Sequence, residues 1–299
     1  MMSSNWLTQF PDMSRRDLLT IRQTLDGAYR HFSREYGDAI EAAFHPLLKF
    51  LIWFDNLLLQ TPWWIIIIAI TGLVYAATRS WKLSLGVVIS LLLIGYFGMW
   101  ENTMRTLSII TVCTLISIAL GIPIGILMAR SDRAQSIITP LLDVMQTMPA
   151  FVYLIPVVML LGIGKIPGVI AVVIYAIPPV IRLTNLGIRL VSKETLEAAT
   201  AFGATSTQRL LGVQLPLAMP TIMAGINQTI MMALAMVVIA SMIGVNGLGQ
   251  PVLRSITNQY FTLGLLNGLA IVALAIIFDR VSQSYAKRTQ KHLESAHND

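Results

Sequence analysis

The sequence predicts an all-α, polytopic transmembrane helical bundle of about seven spans. Charged residues make up only 12% of the 299 residues, whereas soluble domains carry about 25%. Apolar residues make up 55% of the chain, and the mean hydropathy is +0.70. The apolar residues are gathered in runs near the length of about 20 residues that a spanning helix requires. These three observations assign the chain to the integral membrane proteins.

Seven apolar runs are the candidate spans. The first two are short and are joined by a tight turn at 79–82. Later runs contain prolines, which kink or locally unwind a helix, so some of them are predicted to be broken. In chain order the runs are 62–78, 83–100, 104–129, 137–162, 166–190, 221–243 and 262–281.

Lysine and arginine are distributed unevenly over the connections between these runs. One set of connections contains only Arg105, Lys165 and Arg254. By the positive-inside rule the richer set faces the cytoplasm. An odd number of spans then places the C-terminus inside and the N-terminus outside. The net charge of +6 is explained by topology, and no nucleic-acid partner is expected. The richer set contains Arg79, Lys82, Arg130, Arg133, Arg182, Arg189, Lys193, Arg209, Arg280, Lys287, Arg288 and Lys291.

The first 61 residues are predicted to form an extracytoplasmic tail. Their six basic and seven acidic residues nearly balance, which offers little resistance to translocation. The run 45–60 is apolar but too short to span. Its polar residues recur on one helical face, as expected of an amphipathic helix lying in the membrane interface. An eighth, half-buried span that would put the N-terminus inside is the alternative.

The chain thus divides into three regions. The tail 1–61 is followed by a transmembrane domain at 62–282, which contains a cytoplasmic loop at 191–220. Residues 283–299 are predicted to form a cytoplasmic C-terminal tail.

The loop 191–220 is predicted to form two short helices around a glycine turn. Most of the residues from 194 to 202 are helix formers, and Gly203 can supply the left-handed residue that ends a helix. Thr205 and Gln208 form a capping box for a second helix, which Pro216 and Pro220 are predicted to stop. Such an element suits docking into a groove of another protein. An ordinary loop packed on its own bundle is the alternative.

This loop resembles the EAA loop of ABC importer permeases. The family pattern is Glu-Ala-Ala, three residues, Gly, nine residues, Ile, one residue, Leu-Pro; Val213 stands in place of the Ile. The resemblance implies a type I ABC importer permease fold and a homodimer in the bacterial inner membrane. It also implies two cytoplasmic ATP-binding subunits and an external solute-binding protein. The residues expected at the ATPase contact are Glu197, Ala198, Ala199, Phe202, Gly203, Leu215 and Pro216.

Four further segments resemble the glycine betaine/proline betaine permeases among the osmoprotectant importers. The resemblance covers about residues 45–282 and implies a small zwitterionic substrate. Permeases for choline, carnitine or proline in the same family remain open alternatives. The segments are 141–154, 162–168, 214–225 and 238–243.

The sequence predicts no catalytic residue, metal site or cofactor in this chain. A phosphate-binding loop would need Gly-x-x-x-x-Gly-Lys-[Ser/Thr], and the segment 162–166 lacks that spacing. All four histidines fall outside the predicted spans. An ion-gradient-driven transporter would usually show inverted repeats and an in-membrane ion site. Such a transporter would also have no use for the EAA loop. A purely structural scaffold protein would not need helices broken by proline.

Polar residues within the predicted spans are few, and they are candidates for a translocation path. Such groups are costly at membrane depth and usually face a bundle interior or a cavity. Asp143 and Gln146 lie three residues apart and so share a helical face, and Asn227 lies in a later span. Hydrogen bonds that merely hold helices together are the alternative.

Two glycine-rich motifs complete the pattern. Gly121 and Gly125 form a small-xxx-small pair that allows close helix contact. The segment 245–249, which is predicted to face outward, forms either a gate element or a simple exposed turn.

Overall fold

The computed structural model describes the backbone of residues 12–298 and the side chains of residues 12–284. Within this range the chain is helical throughout, with short turns and no strand, which confirms the all-α prediction. Five helices are long and apolar enough to cross a membrane, or six if one bent pair is counted as a single span. The basic residues at 287, 288 and 291, counted above as cytoplasmic, have side chains outside the described range.

The N-terminal region forms one long helix, α1 (Arg15–Gln60), although the pattern indicated a helix only over 45–60. Ser14 begins it by accepting a hydrogen bond from the Asp17 N–H at 3.5 Å. Only 11% of its most apolar window is buried. With its full length α1 meets the length and apolarity criteria for a spanning helix, which the run 45–60 alone does not.

The first two predicted spans form a helical hairpin of α2 (Trp63–Thr78) and α3 (Trp81–Tyr96). Arg79 adopts the left-handed conformation at the turn, with φ of 51°. Ser80 caps α3 by accepting from the Leu83 N–H at 3.4 Å. Each helix has 16 residues, or about 24 Å. Both are therefore shorter than the hydrocarbon core of about 30 Å, and this is why the structure has fewer full-length spans than the seven predicted.

The predicted span 137–162 is broken. After α4 (Trp100–Arg130), the helices α5 (Asp132–Thr147) and α6 (Ala150–Leu161) meet at an angle of 101°. Met148, at the break, has an extended backbone with ψ of 130°. A residue before proline is driven to that conformation, so Pro149 explains the bend.

The central packing unit is formed by α4, α7 (Lys165–Ala176), α8 (Pro178–Arg189) and α11 (Leu215–Ala240), which packs on the other three. Two prolines begin α8, where no N–H donor is needed, so α7 and α8 continue as one 25-residue apolar segment. The predicted small-residue contact is confirmed. A Cβ added to Gly121 would lie 2.4 Å from the Val180 side chain, and one added to Gly125 would lie 2.7 Å from the Ile181 carbonyl.

The remaining helices run from the loop to the C-terminus. α9 (Lys193–Ala201) and α10 (Ser206–Arg209) precede a π-helical stretch (Leu210–Gln214) that leads directly into α11 (Leu215–Ala240). The prediction that Pro216 and Pro220 stop the second loop helix is wrong. Pro216 occupies the start of α11, and the wider π turn before it relieves the clash between a proline ring and the preceding turn.

The segment 245–249 is packed inside the bundle, before α12 (Gly249–Asn258) and α13 (Phe261–Asn298). Val245 and Leu248 are fully buried. Thr106 of α4 accepts a hydrogen bond from the Leu248 N–H at 2.8 Å. A Cβ at Gly247, where φ is +149°, would lie 2.5 Å from the Thr106 hydroxyl. Of the two sequence interpretations, the exposed turn is therefore wrong.

We expect Thr106→Val to destabilise the bundle by about 1–3 kcal/mol, because it leaves the buried Leu248 N–H without an acceptor. The measurement is the thermal unfolding midpoint of the purified protein in detergent. Thr103→Val is the matched control, because within residues 12–284 the buried Thr103 hydroxyl bonds only the Met99 carbonyl of its own helix. Equal midpoints for the two variants would contradict this role of Thr106.

Candidate functional site

In the coupling loop, residues 191–220, the two ends of the first helix are fixed by hydrogen bonds between residues close in sequence. Ser192 accepts from the Thr195 N–H at 3.3 Å and so begins α9. At its other end the Gly203 N–H donates to the Thr200 carbonyl at 2.9 Å, and the Ala204 N–H donates to the Ala199 carbonyl at 3.0 Å. These two bonds make a Schellman turn. Gly203 has φ of +80°, so the predicted left-handed glycine is confirmed.

The second helix begins with the predicted capping box. The Gln208 N–H donates to the Thr205 hydroxyl, and the Thr205 N–H donates to the Gln208 side chain at 2.8 Å. Arg209 ties the two helices together by donating to the Thr200 hydroxyl at 2.8 Å. Sequence reasoning missed this bond, because the two residues lie nine positions apart and the intervening turn decides whether they meet.

The residues predicted for the ATPase contact separate into a tip and a root. The tip comprises Glu197, Ala198, Ala199, Phe202 and Gly203; Ala199 is half-buried and the other four are exposed. Phe202 is 92% exposed, although a large aromatic side chain gains free energy from burial. The root comprises Leu215 and Pro216, which are half-buried where the π-helical stretch meets α11.

The root anchors the tip to the bundle. Leu210, at the start of the π-helical stretch, is 6% exposed and packs with Ile188 of α8 and with Ala218 and Ile222 of α11. Leu215 packs against the same cluster. α10, the π-helical stretch and α11 are continuous. The Arg209–Thr200 bond joins α9, which carries most of the tip, to this continuous segment.

The acidic residue of the candidate path has a partner that the sequence did not indicate. Asp143 of α5 accepts a hydrogen bond from Arg182 of α8, and both side chains are partly exposed, at 57% and 34%. Arg182 was counted above with the cytoplasmic connections, but it lies inside α8. Gln146, one turn further along α5, is exposed.

Asn227 bonds to α13 and not to α5. It donates to the Asp279 carboxylate of α13 at 2.9 Å and accepts from the Ser282 hydroxyl at 2.6 Å. The structure therefore does not join Asn227 to the two α5 residues. Its observed contacts are those of the alternative interpretation, a hydrogen bond between helices, here α11 and α13.

A second ion pair joins α1 to the start of α7. Lys165 donates to the Asp55 carboxylate at 2.8 Å, and the Asp55 side chain is 8% exposed. Nearer the beginning of α1, Tyr29 and Ser33 donate to the carbonyls of Pro156 and Met159 in α6. These long-range contacts hold α1 against α6 and the start of α7, and no local pattern indicated them.

The chain is similar to curated and structurally characterised transport proteins. The permease protein ProW of the Escherichia coli K12 glycine betaine/proline betaine transport system is 51% identical over 239 residues, 78% of this chain and 66% of that protein. The glycine betaine/carnitine permease protein GbuB of Listeria monocytogenes is 49% identical over 234 residues, 78% of this chain and 83% of that protein. The chain thus spans just under two thirds of the Escherichia coli relative.

The fold has a counterpart among solved structures. An inward-facing structure of the MetNI methionine ABC transporter matches 64% of this chain and 95% of that chain, with a TM-score of 0.57 and 18% identity. The common fold is that of a type I importer permease. The sequence profile described as "binding-protein-dependent transport system inner membrane component" matches residues 121–291, a range that includes the whole coupling loop. The chain therefore belongs to the family of binding-protein-dependent transport system inner membrane components.

Proposed function

We propose that this chain is the transmembrane permease subunit of an ABC importer for glycine betaine/proline betaine-type compatible solutes. The coupling loop carries the proposal. Its tip is exposed and closed by a Schellman turn, and its root is continuous with α11. A separate cytoplasmic subunit that hydrolyses ATP would dock on Phe202 and its neighbours. The names of the Escherichia coli and Listeria relatives support the substrate class, and carnitine, choline and proline are the alternatives.

The proposed assembly is a homodimer with two ATP-binding subunits and an external solute-binding protein, in a bacterial inner membrane. The coupling loop and the C-terminus would face the cytoplasm, and the N-terminal tail, residues 1–61, would lie outside. The Asp55–Lys165 ion pair supports an outer position for the end of α1. It holds the end of α1 beside the turn 162–165, which charge counting assigns to the outer side.

Coupling follows from the mechanical continuity of the loop. ATP binding and hydrolysis in the partner would move the exposed tip, and the π-helical stretch would pass that movement to α11. The buried cluster around Leu210 would carry the same movement to α8. The bundle would thereby alternate between outward-open and inward-open states, while this chain performs no chemistry itself.

The test is reconstitution in lipid vesicles with a cytoplasmic ATP-binding subunit and an external solute-binding protein. We expect uptake of radiolabelled glycine betaine that requires ATP and both partners. Uptake driven by an ion gradient without the ATP-binding subunit would overturn the proposal in favour of a secondary transporter. Competition by unlabelled carnitine, choline and proline ranks the alternative substrates.

We further propose that the face of α5 with Asp143 and Gln146 lines the translocation route. The partly exposed Asp143–Arg182 pair supports this. In a narrow passage the Asp143 carboxylate could bind the cationic end of a zwitterion, and the Arg182 guanidinium could bind its anionic end. Asn227 would contribute indirectly, by holding α11 against α13.

We expect Asp143→Asn to lower uptake by roughly tenfold, since loss of one charge of a paired site costs about 1.4 kcal/mol or more. The rate of ATP hydrolysis by the assembled transporter should change little. Asp132→Asn is the matched control, because Asp132 also pairs with an α8 arginine, Arg189, at 2.7 Å but lies about three turns away, at the start of α5, where its side chain is 89% exposed. Normal uptake with normal protein levels in the Asp143 variant would contradict the route.

A further inference from the structure

A groove of about 290 Å³ runs between α3 and α13 on the outside of the bundle. Its walls are apolar along most of their length, with Val87 of α3 and Ala273 and Ile276 of α13 among them. Two basic side chains, Lys82 and Arg280, also line it. This α3–α13 groove lies apart from the coupling loop and from the Asp143 face.

The two basic residues lie at the same end of the groove. Lys82 belongs to the first turn of α3, next to the turn that follows α2. Val74, one turn before the end of α2, packs in one cluster with Ile277 and Val281 of α13, and Arg280 lies between those two in sequence. From Lys82 the groove continues along α3 as far as Ser90, about 12 Å away. The groove therefore has a cationic end and an apolar body.

Neither cation is neutralised by the described part of the chain. Among residues 12–284, no ion pair or hydrogen bond joins the Lys82 or Arg280 side chain to another group. The nearest carboxylate in sequence, Asp279, accepts from Asn227 and, at 2.7 Å, from Gln283. Both cations are exposed and so are available to an external anion.

The floor of the groove has room for an apolar chain. Gly86 lines it, and a Cβ added there would meet no atom within 4 Å. The hydroxyl of Ser90, the polar residue further along α3, donates a hydrogen bond to the Gly86 carbonyl at 2.8 Å. The body of the groove therefore offers a ligand only van der Waals contact, and the polar recognition is confined to the cationic end.

We propose that the α3–α13 groove binds an anionic phospholipid, with an acyl chain along Gly86 and Ile276 and the phosphate between Lys82 and Arg280. Basic pockets between helices at the cytoplasmic boundary select anionic headgroups by charge. A second copy of this chain would bring an apolar helix and leave both cations unpaired. The charge arrangement thus favours a lipid over a protein occupant, and it does so whichever solute the permease carries.

The test is native mass spectrometry of the purified protein titrated with phosphatidylglycerol and with phosphatidylcholine of identical chains. We expect tighter binding of phosphatidylglycerol. The double variant Lys82→Gln/Arg280→Gln should lose roughly thirtyfold in phosphatidylglycerol affinity, at about tenfold per 1.4 kcal/mol, and should bind phosphatidylcholine unchanged. Arg133→Gln, which removes an exposed charge at the start of α5, should behave as the original protein.

A second variant tests the apolar body. Gly86→Leu places a side chain in the groove, and its Cβ meets no atom within 4 Å; it should weaken binding of both lipids while leaving the unfolding midpoint unchanged. Gly72→Leu is its control, because a Cβ at Gly72 also meets open space but lies outside the groove. The proposal is overturned if both lipids bind equally, if both groove variants retain phosphatidylglycerol, or if soluble glycerol phosphate displaces it. Dissociation of a dimer by Gly86→Leu would likewise overturn it, in favour of a second copy as the occupant.

Discussion

Replacement of Gly203 by valine should lower ATP-dependent uptake by at least about tenfold while the bundle stays folded. Gly203 has φ of +80°, which costs an L-residue about 1–2 kcal/mol and a β-branched residue more. The Schellman turn would open, and α9 and α10 would no longer present Phe202 in one fixed position. Because a Cβ at Gly203 meets no atom within 4 Å, the defect would arise from the backbone and not from packing. The measurement is uptake by vesicles containing all subunits, with an expected loss of at least about tenfold.

Two variants separate this backbone effect from a general intolerance of the loop. Gly203→Asn should keep most of the uptake, because asparagine tolerates the left-handed conformation. Gly212→Ala should also be tolerated, since Gly212 lies in the π-helical stretch with open space around it and no positive φ. Undiminished uptake by the valine variant would show that the turn does not position the docking surface.

The second large effect is expected at the closest helix contact. Gly125→Leu should prevent stable folding, because its Cβ would lie 2.6 Å from the Thr184 Cβ and 2.7 Å from the Ile181 carbonyl. A backbone carbonyl cannot move aside as a flexible side chain can, so α4 and α8 would have to separate. Overpacking of a core costs about 1–3 kcal/mol and occasionally more, and we expect the upper end here. The measurement is the yield of monodisperse protein in detergent and its unfolding midpoint.

Gly72→Leu is the control for size and hydrophobicity. Gly72 is exposed on α2, and an added Cβ there meets nothing within 4 Å. This variant should fold with normal yield. A Gly125→Leu protein with the same yield and midpoint as the control would contradict the close packing of α4 on α8.

The coupling loop was predictable because its structure depends on hydrogen bonds between residues that are close in sequence. The cap at Ser192 joins atoms three positions apart, and so does the capping box of Thr205 and Gln208. Gly203 adopts the left-handed conformation because glycine has no Cβ to oppose it. The Arg209–Thr200 bond was not predictable, because it depends on how α9 and α10 are oriented after the turn. The passage through Pro216 was not predictable either, because it depends on the π-helical stretch before it, which no local pattern indicated.

The partners of the polar residues within the spans, by contrast, could not be predicted from the sequence. Asp143 and Asn227 look alike in sequence, as single polar residues in apolar runs. Asp143 meets Arg182 on α8 at a partly exposed position, whereas Asn227 is bonded to α13. Helical periodicity assigns each residue to a face of its own helix, but the neighbour of that face is a property of the packed bundle.

Composition and local pattern established the membrane class, the helical bundle, the resemblance to importer permeases and the local shape of the loop tip. These rest on composition, on run length and on bonds between residues a few positions apart. The folded bundle was needed to show that α1 is held by the Asp55–Lys165 pair, that 245–249 is buried against Thr106, and that Lys82 and Arg280 line one groove. Each of these contacts joins distant segments, whose relative position is set by side-chain packing across the whole bundle and by no local pattern.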